Sequence, residues 1–147
     1  MDMFERLLSG LLAPSPARLP EPDARLALAA LMVRVARSDG TYAEAEVAQI
    51  DRVLASLHSL SPFAAADLRA QAEVLEAEAP DTVRFTRAIK AATAHEDRTG
   101  LLQALWSVAL SDGTRDSHED HLLRLVANLL GLTDVESALA RQRAARG

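Results

Sequence analysis

One stretch of this chain occurs twice. Val35, Ala36, Ser38, Asp39, Gly40, Thr41, Glu46, Val53 and Leu57 recur 73 residues later as Val108, Ala109, Ser111, Asp112, Gly113, Thr114, Glu119, Val126 and Leu130. A repeat at fixed spacing is one supersecondary unit used more than once. In each copy an apolar stretch ends in S-D-G-T, a short loop follows, and a glutamate stands in the first turn of a second, amphipathic stretch. The chain therefore has two helix-loop-helix units to pack around one core, and pseudo-two-fold symmetry is the expected relation between them.

Ala and Leu make up 53 of the 147 residues, against five aromatics. Strands favour β-branched and aromatic residues in alternating runs bounded by turns, and no such run is present. The expected class is all-α, a single-domain bundle of about seven helices. A chain of this length buries roughly two thirds of the surface its unfolded form exposes, so it holds a core without disulfides or metal.

Three segments are expected. Residues 1–12 carry Met3, Phe4, Leu7, Leu8, Leu11 and Leu12 on one face, which predicts a short amphipathic helix. Residues 13–22 hold four of the six prolines and read as a linker. Residues 23–147 form the helical domain. Within it, Asp23 caps a helix that stops at Asp39-Gly40, and a second runs from Glu44 to His58. Ser61 with Pro62 opens a third that ends before Pro80, and Asp81 caps a fourth. A fifth follows His95, Glu96 and Asp97, a sixth spans 117–130 and stops at Gly131, and Thr133 with Glu136 stands at capping-box spacing for the last.

The formal charge is −5, from 16 basic and 21 acidic residues, and no basic patch interleaves with aromatics, so nucleic acid is not the expected partner. Cysteine is absent, which removes thiol catalysis and thiolate metal sites. No apolar run reaches the roughly 18 residues of a membrane span, and the acidic opening of the chain reads poorly as a secretory signal. The expected location is the cytoplasm, with any membrane contact peripheral and made by the N-terminal helix.

The D-G-x5-E spacing matches the second half of a calcium loop, where glycine is position 6 and glutamate position 12. Positions 1 and 3 would be Val35 and Arg37, or Val108 and Leu110, none of which ligates calcium. An EF-hand is excluded. Two readings of the acidic residues stay open. Asp39 with Glu46, and Asp112 with Asp116 and Glu119, offer hard oxygen ligands for a divalent cation; the same residues also suit helix caps and tight turns. Ala43 stands in the first copy where Asp116 stands in the second.

His118 and His121 lie at i and i+3, but Leu122 holds the position that H-E-x-x-H gives to its second histidine, and a solvated polar face is the expected role. No nucleophile elbow, phosphate-binding glycine loop or dinucleotide fingerprint is present. The expected function is non-enzymatic, without an organic cofactor. Trp106 falls on the most apolar stretch and is expected in the core. Arg84, Arg87 and Lys90 form a basic ridge, Glu73, Glu76 and Glu78 an acidic cluster, and whichever is not answered by the other is the natural place for a charged partner to dock.

L-A-L-A-A-L-M-V-R-V-A-R-S-D-G followed by Glu46, then R-F-T-R at 84–87, then A-L-W-S-V-A-L-S-D-G followed by Glu119, resembles the tellurite-resistance TerB family over about residues 24–132, nearest to a stand-alone branch. The resemblance implies an all-helical fold with the two units as its internal repeat. It implies a stress-response protein, similar also to the N-terminal domain of a membrane-anchored DnaJ-like co-chaperone. It further implies a metal-associated scaffold or adaptor with no catalytic residue, the metal ligands falling on Asp39, Glu46, Asp112, Asp116 and Glu119. The alternative is a purely structural protein-protein adaptor with no metal site. A protein partner is expected either way, in an oligomeric state left open.

Overall fold

The computed structural model describes residues 22–79, 81–111, 113 and 117–146, the side chains of 117–119 excepted. The expected N-terminal helix and proline-rich linker lie outside the described residues, as do Asp112 and Asp116 and the side chain of Glu119. Seven helices and no strand make up the described chain: α1 (Ala24–Arg37), α2 (Glu44–His58), α3 (Pro62–Glu78), α4 (Val83–Ala92), α5 (His95–Ala109), α6 (Ser117–Leu129) and α7 (Asp134–Arg146).

The helix starts follow local chemistry. Asp23 Oδ1 accepts from the Leu26 N–H at 2.8 Å, and Ser61 Oγ from the Ala64 N–H at 3.1 Å. Each satisfies one of the donors that a helix start leaves unpaired. Thr133 and Glu136 make the full reciprocal box, at 2.9 and 3.1 Å. Gly131 ends α6 with a φ of +78°, and Leu132 and Gly131 return their N–H groups to the Ala127 and Asn128 carbonyls.

Asp81 caps α4 as expected: its Oδ1 accepts from the Arg84 N–H at 3.3 Å, and Thr82 already has helical backbone angles. One start differs from expectation. Helix α5 begins at His95, so Glu96 and Asp97 occupy its first turn instead of preceding it. Acids suit that place because the helix N-terminus carries partial positive charge.

The core is built around α1. Its nine buried residues, from Ala27 to Ala36, leave no side for solvent, and it packs against α2, α3, α4, α5 and α6. A helix apolar on all sides is stable only in such a central place. Met32, Leu31, Ile50, Leu54, Phe85, Leu102 and Leu105 close the interior. The repeat extends further than sequence matching suggests. Helix α3 packs chiefly on α1, and α7 chiefly on α5, so each unit is a helix triplet and α4 joins them.

Candidate functional site

The serine and glycine of the two S-D-G turns are placed alike. Ser38 Oγ donates to the Val35 carbonyl at 2.7 Å, and Ser111 Oγ to Val108 at 2.7 Å. The Gly40 N–H bonds the Arg37 carbonyl at 3.0 Å, and Gly113 bonds Leu110 at 3.2 Å. Both glycines sit at positive φ, +85° and +78°, where a side chain would strain the backbone.

In the first unit both acids are turned onto their own backbone. Asp39 Oδ1 accepts from the Thr41 N–H at 2.8 Å, closing an Asx turn. Glu46 is fully buried, and its Oε1 accepts from the Ala43 N–H at 3.1 Å. This is the return half of a capping box; the forward half is missing because Ala43 has no side-chain oxygen. In the second unit, Asp112, Asp116 and the Glu119 side chain lie outside the described residues. Among the described residues no three acidic or imidazole side chains gather closely enough to share a metal ion. His95, distant in sequence from His118 and His121, bonds through Nε2 to Glu136 Oε2 at 3.1 Å.

Beside the first turn runs a network of charges that sequence reasoning missed. Arg37 donates to Glu76 Oε2 at 3.0 Å and lies 5.0 Å from the Tyr42 ring centre. Arg69 donates to Asp51 Oδ1 at 2.6 Å and to Glu73 Oε1 at 3.1 Å. The Asp51 hydrogen bond, ahead of an opposing desolvation, raises the Arg69 pKa. Burial first, then the Glu73 carboxylate, pushes the Tyr42 phenol well above its usual range. Arg34 lies 5.1 Å over Phe85 and donates to the Glu76 and Ala79 carbonyls at 3.1 and 2.8 Å, tying down the end of α3. The hint in the sequence was Arg34 and Arg37, which interrupt the apolar run of α1 near its end.

A family model described as tellurite resistance protein TerB matches residues 25–142. The chain belongs to the TerB family. No curated protein and no solved structure matches it.

Away from its turns this TerB-family domain has several recesses among the described residues. A cleft of about 690 Å³ lies between α2, α5 and α7, crossed by a hydrogen bond from Gln49 Nε2 to Ser107 Oγ at 3.2 Å. A smaller pocket of about 290 Å³ gathers Asp120, Arg124, Asp134 and Arg141 around Trp106. Trp106 is 5% exposed, as its apolar helix requires, and Arg141 stacks 5.5 Å from its ring centre. No helix among the described residues is long and apolar enough to cross a membrane.

Proposed function

We propose that this TerB-family chain is a non-enzymatic protein-interaction module of the cytoplasm, associated with stress response as its family name implies. One observation carries the reading. Asp39 and Glu46, the acids of the first repeat, are bonded to the Thr41 and Ala43 N–H groups of their own unit, so the motif there works as turn and cap. Exposed apolar side chains on several faces, among them Phe63, Val74, Val83 and Val135, supply surface that a protein partner can cover. Neither nucleic acid nor an organic cofactor has a place in this reading.

The experiment is photo-crosslinking in the producing cells, with benzoylphenylalanine placed in turn at positions 63, 74, 83 and 135. Discrete crosslinked species from at least one position support the module; their absence from all four overturns it.

A cation belongs to the second part of the proposal. Asp112, Asp116 and Glu119 supply three carboxylates where the first unit supplies two, because Asp116 replaces Ala43. These residues would hold a divalent ion through hard oxygen donors, and the ion would fix the loop by its charge. Calorimetric titration of calcium, magnesium, zinc and manganese into the protein and into an Asp112→Ala, Glu119→Ala variant tests this. Saturable heat from the parent alone supports it, and silence from every metal at about 1 mM, the weak end of calcium-module affinities, removes it.

A further inference from the structure

Two members of the basic ridge of α4, Arg87 and Lys90, pair with none of the described acids of α3. Glu73 and Glu76 are taken by Arg69, Arg37 and Arg34, from α3 itself and from α1. Arg87 and Lys90 are exposed and form no ion pair among the described residues. They flank a groove of about 450 Å³ where α4 meets α6 and the start of α5. Its apolar lining comes from Val83, Ala91 and Leu129, and Val83 is 39% exposed. Arg98 closes one side, with its guanidinium spent on the Lys90, Thr93 and Leu130 carbonyls at 3.2, 2.9 and 3.3 Å. Among the described residues no carboxylate lines the groove, although the chain as a whole carries a formal charge of −5.

We propose that the groove between α4 and α6 binds an acidic, leucine-bearing segment of a partner protein, whose aliphatic side chains cover Val83, Ala91 and Leu129 while its carboxylates meet Arg87 and Lys90. The proposal rests on the interaction-module reading and names the face that reading uses. Shape and charge select this occupant. An apolar floor with a cationic rim is complementary to an amphipathic acidic helix laid into a groove. An anionic bilayer is met by a larger basic cluster or a raised apolar face, and this site is concave with two unpaired cations. Nucleic acid is met by aromatic platforms, and none lines the groove.

The test is fluorescence anisotropy with a labelled helix-forming peptide of about four turns, leucines on one face and glutamates on the other. Saturable binding that weakens with added salt is expected. Binding should fall at least about tenfold in an Arg87→Glu, Lys90→Glu variant, as loss of two rim charges predicts. It should fall also in Ala91→Gln, which fills the groove from an exposed helical position and leaves the rim charges in place. Both variants are checked for unchanged thermal unfolding, and one that keeps its fold suffices.

Equal binding by folded variants overturns the proposal, as does equal binding of a peptide with lysine for glutamate. Capture by phosphatidylglycerol vesicles with no peptide binding, or no peptide binding at about 1 mM, overturns it too. Crosslinks formed through positions 63, 74 or 135 but never through 83 remove this groove and leave the interaction module standing. Loss of every crosslink removes the module itself.

Discussion

Ser38 and Ser111 stand 73 residues apart and make the same hydrogen bond, each hydroxyl donating at 2.7 Å to the carbonyl three residues earlier. The bond ends an apolar helix, and the glycine two residues on reverses the chain. Gly40→Ala and Gly113→Ala should each cost about 1 kcal/mol through the left-handed backbone, since an added Cβ meets nothing within 4 Å at either site. Gly100→Ala, inside α5 with the same free space but ordinary helical backbone, should stabilise by about 0.5–1 kcal/mol. Urea unfolding midpoints should move in opposite directions; movement in the same direction contradicts the backbone argument.

Among the described residues Glu46 is the one acid in the core, and it closes the start of α2 from inside. Glu46→Ala removes the acceptor for the Ala43 N–H and leaves a cavity, for a loss of about 2 kcal/mol. Glu46→Gln keeps an acceptor at the same reach and should lose less. Equal midpoints for the parent and the alanine variant show that the cap is idle.

Arg34 holds the end of α3 through two carbonyls while stacking on Phe85. Arg34→Ala should cost about 3 kcal/mol, from charged hydrogen bonds and a partly desolvated cation–π contact. Arg34→Lys should recover less than half of that loss, because one ammonium cannot bond the two carbonyls, meet Thr82 Oγ1 and the Glu76 carboxylate, and lie flat over the Phe85 ring at once. Chemical denaturation of the three proteins checks the order; full rescue by lysine shows that one ammonium suffices.

His58 sets the expected pH dependence. Burial, and then the nearby Arg25, lowers its pKa from 6.5 against a smaller opposing pull from Asp23. The unfolded chain therefore binds the proton more tightly than the folded one. The contribution to stability is fully present above 6.5 and is lost as pH falls through the lowered value. Glu136, whose pKa is lowered chiefly by its bond to the Thr133 backbone, acts in the same sense below 4.5. Unfolding midpoints measured across the mildly acidic range should decline in the parent and flatten in His58→Gln. Identical slopes exclude His58 as the source.

The elements legible in sequence were those fixed by local chemistry. Asp23, Ser61 and Thr133 each reach an N–H three residues ahead, and Gly40 and Gly131 each adopt a backbone that other residues avoid. What stayed hidden depends on neighbours distant in the chain. Glu76 reads as part of a free acidic face because Arg34 and Arg37 lie on another helix, and only packing of α1 against α3 brings them together. The acidic loops were legible as residues but not as roles. Capping and ligation need the same carboxylates, and in the first unit it is the missing oxygen of Ala43 that leaves Glu46 half a box.

Helix α1 belongs to the first unit by sequence and to both by packing. A chain severed between the repeats would leave that helix with a bare apolar flank, so neither half would outlive the other. The molecule should therefore open as one body, with its slowest-exchanging amides expected in α1. A ligand that tightens any helix around α1 is then felt by all of them.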